Sequence, residues 1–395
     1  MLFRSGAAAD QATVHYEQTE QAGRFDASRG VVPEAGEPAT LSARVSGSAS
    51  SAGVYATDTW QVRPGTHLTA TLRVNHARVG NTLGSVDDDS GDFVQHPHEA
   101  FRYTSVNPAL GVAQVLRPGL TAFANIARNN RVPTVIELGC ADPEQPCRLP
   151  AGLQADPYLA QVVSTSLEAG LRWSGPAGLR GSVTAFRTDN RDDILFRSTS
   201  VTGQLGYFAN FPRTRHQGLD LDAQWAWGPV SLGLGYAWLD ASYQASGVLR
   251  MGERNVVIRP GTPIAGLPRH QLKLSADWQP AAGWSLGADG QLLGSRGVAG
   301  NEDGLLADGA DTAHRLRLPA YAVVNLRTAW KPADWPGLEL FARVSNLLDR
   351  RYASFGALAA TSFDAQGAFT GVARDALFVA PGAPRALTVG ARWQF

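Results

Sequence analysis

The 395-residue sequence predicts an all-β protein, an antiparallel β-barrel that crosses a membrane with its strands. Three features support this fold class. Apolar and polar residues alternate along many segments of about ten residues, the pattern of a strand with one lipid face and one wet face. Short Gly/Pro turns alternate with long polar loops. No run of about twenty apolar residues offers a transmembrane helix, so a membrane location requires a barrel.

The alternation is clearest in the terminal segment, residues 385–395. Every second residue is apolar, and the set ends with two aromatics: Leu387, Val389, Ala391, Trp393 and Phe395. A strand between lipid and a wet lumen requires this arrangement. A terminal aromatic on such a strand resembles the signal by which bacterial outer-membrane barrels are recognised for assembly. We therefore expect Trp393 and Phe395 to form that signal and to bind the barrel-assembly machinery.

Including this segment, the pattern predicts about fourteen strands. The other thirteen are predicted at residues 12–21, 53–62, 67–78, 103–116, 120–129, 162–173, 179–188, 217–227, 230–243, 270–278, 284–293, 321–330 and 338–345. Long polar loops are predicted between them, including residues 22–50, 79–102 and 189–213. Five tryptophans fall beside short turns, where an interfacial aromatic belt is expected: Trp227, Trp278, Trp284, Trp330 and Trp335.

Composition excludes several classes of function. The 35 basic residues balance the 35 acidic ones, whereas a nucleic-acid-binding protein shows a basic excess. We find neither a nucleophile elbow nor a glycine-rich phosphate loop between a strand and a helix. The protein is therefore not expected to be an enzyme or to need a cofactor. A hydrolase with catalytic groups on separate strand ends remains the one enzymatic alternative.

Six segments, in order, resemble the motifs of TonB-dependent outer-membrane receptors. The first, Phe123 to Leu138, is similar to that family's aromatic-x-Asn…Arg-x-Pro-Thr-x-x-Glu-Leu segment. Another, Asn346-Leu-Leu-Asp-Arg-Arg-Tyr352, resembles its late Asn-Leu-Phe-Asp-x-x-Tyr, with Leu348 where Phe is usual. The others begin at Asp156, Val183, Gly218 and Gly266. Asn346 and Asp349 suit a turn, because short polar side chains bond to the local backbone, and Gly266 and Pro268 suit the return of a long loop to a strand.

This resemblance implies a fold and a function. The resemblance implies a barrel of 22 strands whose lumen is filled by an N-terminal plug. Residues 1–395 are therefore expected to be the C-terminal part of such a barrel, without the plug. Met1 to Asp10 lacks the apolar core of an export signal, which suggests a fragment or a mis-called start. The implied function is the uptake of a scarce nutrient across the bacterial outer membrane, with a ferric siderophore as the favoured ligand.

The partners implied are outer-membrane lipid and lipopolysaccharide, the assembly machinery, an extracellular small molecule such as a ferric chelate, and the TonB complex through a plug. Two alternatives stay open. A passive porin-like channel would conduct ions without a partner. A barrel for binding or adhesion would use its loops as the functional surface.

Two cysteines with six residues between them lie in a predicted outer loop, Cys140 and Cys147. In an exported loop this spacing favours a local disulfide, which would stabilise the loop by about 2–3 kcal/mol in the chain-entropy model. A metal site would need more ligands than the neighbouring sequence offers, and redox chemistry would favour Cys-x-x-Cys.

Other candidate site residues are polar residues of the predicted loops and strand ends. His96 and His98, which follow an acidic run, are weak candidates for binding a cation, against a plain solvated loop. Glu302, Asp303 and Asp308 have the same two interpretations. Five arginines near strand ends are candidates for an anionic ligand, because guanidinium pairs with carboxylate in a fork; loop carboxylates or lipopolysaccharide are the competing partners. They are Arg128, Arg131, Arg197, Arg213 and Arg215.

Overall fold

A computed structural model describes residues 2–26, 30–86, 92–139, 147–148, 159–198, 205–251, 254–305, 316–364 and 366–394. Its main feature is one antiparallel sheet in which fourteen long strands pair in chain order. These wall strands are β1 (Leu2–Glu20), β2 (Thr40–Arg63), β3 (Thr66–Val86), β4 (Glu99–Arg117), β5 (Leu120–Arg131), β6 (Val162–Ser174), β7 (Arg180–Ser198), β8 (Leu205–Trp227), β9 (Val230–Tyr243), β10 (His270–Trp278), β11 (Trp284–Leu293), β12 (Tyr321–Trp330), β13 (Leu338–Ser345) and β14 (Ala386–Trp393).

Short elements lie in the connections at the two ends of this wall. Four two-stranded ladders lie in the connections: Gly23–Phe25 with Val31–Pro33, Gly247–Met251 with Arg254–Ile258, Arg296–Gly297 with Arg317–Leu318, and Ala353–Phe363 with Phe369–Pro381. Phe93–Gln95 pairs with β3 and Cys147–Arg148 with β8. One α-helix, α1 (Val135–Gly139), follows β5, and a 3-10 helix (Pro176–Gly178) joins β6 to β7. None of the described helices has the length and apolar character needed to cross a membrane.

The predicted fold class and the fourteen strands are confirmed, but three loops were predicted too long. The strand β2 already begins at Thr40, β3 continues to Val86, and β7 and β8 leave only a short connection between Ser198 and Leu205. Likewise, β1 begins at Leu2 and not at residue 12. At the loop ends of β2, β3, β7 and β8 the backbone ladder continues beyond the apolar band, so the alternation stops there. The start of β1 lies beside the band, where Ala7 pairs with Val54, but its small and polar residues hide the alternation. A pattern search based on period two therefore misses them.

The sheet has an outward face, which we define as the one that carries the exposed apolar side chains. Cross-strand pairing aligns these side chains into rows: Ile126 lies between Leu110 and Leu167. Along each strand the row continues at every second residue, as the alternation predicts. Exposed members of this apolar band include Val54, Leu72, Val106, Leu110, Ile126, Leu167, Leu219, Leu274, Leu326, Leu340 and Leu387.

The opposite, inward face is polar and bonded to itself. Hydroxyl pairs cross neighbouring strands, as between Thr57 and Thr71 at 3.0 Å. On β10 to β12 the Arg327 guanidinium lies 2.6 Å from Asp277 and 3.2 Å from Asp289, and Asn325 donates to Asp289 at 2.6 Å. Such cross-strand pairs stabilise a sheet. The two faces together match the lipid-side and lumen-side requirements of a transmembrane barrel.

Tryptophans gather at the end of the wall that carries the short turns. The ring centroids of Trp284 and Trp330 are 5.5 Å apart, and those of Trp225 and Trp227 are 6.0 Å apart. All five tryptophans of the predicted belt are exposed, as is Trp393 at 49%. Amphipathic rings at one level of the wall are typical of a membrane interface. The turns themselves need positive φ, which Gly65 (78°) and Gly119 (75°) supply.

A close approach of backbone to an aromatic ring holds the middle of the wall together. Phe123 of β5 and Gly170 of β6 are cross-strand partners. A Cβ on Gly170 would lie 2.8 Å from the Phe123 ring and would also clash with the carbonyl oxygen of Val183. The ring therefore covers backbone that only glycine leaves bare, and the Arg172 guanidinium stacks on the same ring at 4.5 Å from its centroid.

We expect Gly170→Ala to lower the free energy of unfolding by about 1–3 kcal/mol, because the added methyl group overpacks the site. Gly290→Ala is the matched control, since a Cβ there meets no atom within 4 Å; it should leave stability unchanged or raise it by about 0.5 kcal/mol. Urea unfolding of protein purified from outer membranes, followed by tryptophan fluorescence, measures both. Equal midpoints for the two variants would contradict the packing argument.

Candidate functional site

The loop end of the wall is organised by a small apolar cluster on the inward face. Val135 and Leu138 of α1 are 3% and 2% exposed, and they pack against buried side chains of β2, β3 and β4. The Tyr103 hydroxyl donates to the carbonyl oxygen of Leu159 at 3.0 Å, which joins the returning chain to the cluster. The full set of buried members is Val45, Val79, Leu83, Tyr103, Val135, Leu138, Leu159, Val162 and Ile194.

Residues of the Arg-x-Pro-Thr-x-x-Glu-Leu motif form a capping box at the start of α1. The Thr134 hydroxyl accepts from the Glu137 N–H at 3.1 Å, and the Glu137 carboxylate accepts from the Thr134 N–H at 2.8 Å. The two side chains thereby satisfy backbone donors that a helix start leaves unbonded. Glu137 also receives the Arg131 guanidinium on both oxygens, at 3.0 and 2.8 Å. Arg131 is thus bonded within its own motif.

A cavity of about 170 Å³ opens at the same end of the wall, between the connection that follows β9 and the one that follows β11. Leu239 and Ala241, which alternate with the outward residues of β9, form one side. The polar side chains in its wall are Arg269, Asn301, Glu302 and Arg317. Its mixture of apolar floor and charged rim is the usual make-up of a small-molecule site.

Hydrogen bonds order the polar rim of this cavity. Glu302, only 9% exposed, accepts from the Gly300 N–H at 3.1 Å. Asn301 donates to the carbonyl oxygen of Leu305 at 2.7 Å and accepts from the Leu316 N–H at 3.3 Å. Arg317 donates to the backbone oxygen of Ser295 at 3.0 Å. The rim is therefore held in place by the loop itself.

Beside the cavity, Arg296 ties two connections together. Its side chain is 1% exposed, and one guanidinium nitrogen donates to the carbonyl oxygen of Ala353. The guanidinium also lies 5.3 Å from the centroid of the Tyr321 ring, which stacks on Tyr352 at 4.3 Å. These contacts join the start of the last hairpin, Ala353–Phe363 with Phe369–Pro381, to the chain between β11 and β12.

The Asn346 motif turns the chain out of the wall, as its residue types predict. Asn346 has a φ of 49° and Asp349 one of 48°. The Asn346 amide donates to the backbone oxygens of Arg350 and Ala383 and accepts from the Arg350 N–H, at 2.9 to 3.0 Å. The Asp349 carboxylate accepts from the Arg385 N–H at 3.0 Å. This turn thus joins the end of β13 to the start of β14.

The structure separates the other predicted arginines. Arg215 lies 2.7 Å from Asp189. Arg128 and Arg213 are exposed and have no ion pair or hydrogen bond among the described residues. Register places Arg128, Arg213 and Arg215 on the outward face, because Arg128 shares its face with Ile126 and Arg215 with Leu219. Arg197 pairs with Tyr207, and its buried Nε has no partner in the described chain. A ligand role for these residues stays a prediction.

The remaining candidate residues, which were predicted to bind a cation or to form a disulfide, make few contacts in the described chain. The His98 ring accepts or donates a hydrogen bond with Thr82 at 3.1 Å, and the His96 Nε2 is buried without a partner among the described residues. Within the same ranges no three His, Cys, Asp or Glu side chains are grouped to hold a metal ion. Cys140, Asp308 and Phe395 lie outside the described residues, so the disulfide with Cys147 and the assembly signal stay predictions.

Sequence reasoning missed most of the cavity. Arg269 lies in the motif segment that begins at Gly266, and for Glu302 the sequence offers either cation binding or a plain solvated loop. Asn301, Arg317 and the buried Arg296 carry no local signal. These residues come from two different loops. Only the folded chain brings them within reach of one another.

Comparison with known proteins identifies the architecture. The sequence profile of the family "TonB dependent receptor-like, beta-barrel" matches residues 5–347. None of the curated protein sequences compared with the chain matches it.

Solved structures resemble the fold closely. The ferric yersiniabactin uptake receptor FyuA from Yersinia pestis has a TM-score of 0.66 at 15% identity, over 100% of this chain and 51% of its own. The siderophore receptor PiuA from Acinetobacter baumannii has a TM-score of 0.67 at 14% sequence identity, and the match covers 99% of this chain and 53% of PiuA. The copper transporter OprC has a TM-score of 0.61 at 15% sequence identity, and the match covers 100% of this chain and 54% of OprC. The chain thus spans about half the length of these receptors, and the likeness at such identity concerns the fold alone.

We expect Glu137→Ala to lower the free energy of unfolding by about 1–2 kcal/mol, since it removes a helix cap and leaves the Thr134 N–H and Arg131 without their acceptor. Glu17→Ala is the control: Glu17 bonds Arg44 at 2.8 Å, but both side chains are at least 40% exposed. Loss of such a surface pair should cost less than about 0.5 kcal/mol. Chemical unfolding of the two variants compares them, and a Glu17 effect as large as that of Glu137 would refute the capping role.

Proposed function

Because the chain belongs to the TonB-dependent receptor-like β-barrel family, we propose that it forms the loop-bearing part of an outer-membrane receptor that imports a ferric siderophore. The receptor would be driven by the TonB complex through a plug domain. The observation that carries the proposal is the match of the family profile to 343 residues, from 5 to 347, together with a polar cavity at the loop end of the same wall.

The cavity supports an anionic chelate as the ligand. Two guanidinium groups, those of Arg269 and Arg317, border it, and guanidinium binds carboxylate or catecholate oxygens through several N–H donors at once. At about 170 Å³ the cavity is smaller than the roughly 300–1,000 Å³ of a typical ligand site. We therefore assign it one arm of the chelate, with the remainder lying over the neighbouring loops.

The names of similar structures support the same class of ligand. FyuA is a ferric yersiniabactin uptake receptor and PiuA a siderophore receptor, whereas OprC is a copper transporter. Iron chelates are therefore the first class to test. A free metal ion has less support here, because no three candidate ligand side chains are grouped within the described residues.

The test is uptake of radiolabelled iron by cells with and without the gene, supplied as catecholate, hydroxamate or carboxylate chelates. We expect deletion to abolish high-affinity uptake of one chelate class, and a protonophore to abolish it in the parent cells as well. Arg317→Gln should weaken uptake at low chelate concentration by about tenfold, as expected for one lost charge-assisted contact. Arg117→Gln, at the short turn between β4 and β5 on the opposite end of the wall, serves as the control variant.

Three outcomes would overturn parts of the proposal. Unchanged uptake of every iron chelate, with loss of copper or another nutrient, would refute the ligand but keep the family mechanism. Uptake that resists the protonophore, or steady ion conductance in a planar bilayer, would favour a passive channel. Binding of a surface target through the loops without any import would favour adhesion.

A further inference from the structure

The outward face changes character abruptly where the apolar band ends. On β8, Leu219 is the last large apolar residue of the band, and Gln217, Arg215 and Arg213 follow on the same face toward the loops. On β7 the corresponding outward residues are Arg187, Asp189 and Arg191. Arg128 of β5 follows Ile126 in the same manner.

Register brings these side chains into adjacent rows. One row contains Arg128, Thr165, Asp189 and Arg215 across four successive strands. The row on its loop side contains Arg191 directly opposite Arg213. The row on its membrane side contains Leu167, Arg187 and Gln217. We call Arg128, Arg187, Arg191, Arg213 and Arg215 the outer arginine patch.

The patch carries an excess of positive charge. Asp189 lies between the rows and accepts from Arg187 at 2.8 Å and from Arg215 at 2.7 Å, and the exposed Asp192 adjoins Arg191. Five guanidinium groups against these two carboxylates leave a net charge of +3. On the neighbouring β9, Asp240 is already held by Gln217 at 3.2 Å and by Arg269 at 3.4 Å.

The Arg191–Arg213 pair places two like charges opposite each other, which a bound anion would neutralise. Both residues are exposed, and neither has an ion pair or hydrogen bond with any described residue. Side chains directly opposite on neighbouring strands lie about 5 Å apart at Cβ, and like charges in that position destabilise a sheet. A bound anion that accepts from both guanidinium groups would turn this repulsion into two charge-assisted bonds.

The position of the patch determines the class of anion. Ile126, Leu167 and Leu219, which are 48%, 55% and 43% exposed, border it on the membrane side. A ligand there has apolar chains beside these residues and its anionic groups one row higher. We propose that the outer arginine patch binds the phosphate groups of an outer-leaflet lipid whose acyl chains lie along the apolar band. In a bacterial outer membrane that lipid is lipopolysaccharide.

This assignment gives three of the predicted ligand arginines a different partner. Arg128, Arg213 and Arg215 contact lipid on the outside of the wall, while a nutrient would enter on the inside. The inference depends on the outer-membrane location of the family and not on which nutrient is imported. An error in the siderophore assignment would therefore leave it standing.

The test is native mass spectrometry of the protein purified from outer membranes and placed in phosphatidylcholine nanodiscs. Diphosphorylated lipid A is titrated against enzymatically dephosphorylated lipid A with the same acyl chains. We expect the diphosphorylated form to bind at least tenfold more tightly, and the difference to shrink as salt is raised, because exposed charges are screened.

Variants locate the site. Arg191→Gln with Arg213→Gln should lower the affinity for diphosphorylated lipid A by at least tenfold, whereas Arg191→Lys with Arg213→Lys should retain most of it. Arg63→Gln with Arg117→Gln removes the same charge from the short-turn end and should change nothing. Equal urea unfolding midpoints for the variants show that lost binding is not lost folding.

Several results would overturn the proposal. Equal binding of the dephosphorylated lipid would show that acyl contacts alone hold it. An unchanged affinity in the Arg191/Arg213 glutamine variant would place the lipid elsewhere. Full displacement of the lipid by millimolar inorganic phosphate would indicate a site for a soluble anion.

Discussion

The structure depends on one constraint: each wall strand must bond its backbone to both neighbours, because neither lipid nor a side chain can replace those hydrogen bonds. Fourteen strands satisfy it by pairing in chain order, so that side chains are left with only two directions. Side chains that point outward lie in apolar surroundings, and side chains that point inward lie in a polar lumen. On the inward face, the hydroxyl pairs and the Asp277–Arg327–Asp289 network satisfy the polar side chains by bonding them to one another. Within the described residues, β1 and β14 each have one ladder partner, which leaves an edge at either end of the sheet.

Where the strands extend past the apolar band, the same backbone ladder serves other purposes. On the inside it supports the α1 cluster, which holds the chain just after β5 and just before β6. On the outside it displays the outer arginine patch. Nutrient and lipid would thus meet opposite faces of the same strands. Long connections anchored on such strand ends can vary in sequence while their bases stay rigid.

The motif segments gain a physical explanation from their partners. Thr134 and Glu137 are spaced to cap α1, Phe123 needs Gly170 across the strand, and Asn346 adopts a left-handed conformation while bonding three backbone groups. The capping spacing and the turn chemistry could be read from the sequence, since both act within a few residues. The pairing of Phe123 with Gly170 could not, because register is a property of two strands together.

By itself, the sequence determined the fold class, the number of wall strands, the tryptophan belt and the family, because all four follow from a period of two, turn residues and short motifs. The tertiary structure alone decided how far the strands extend, which loop residues share the cavity and which face each arginine occupies. The physical reason is the distance along the chain over which each signal acts. Alternation reports contact with lipid and vanishes where lipid ends, while a site built from separate loops, or a row across separate strands, exists only after the strands have paired.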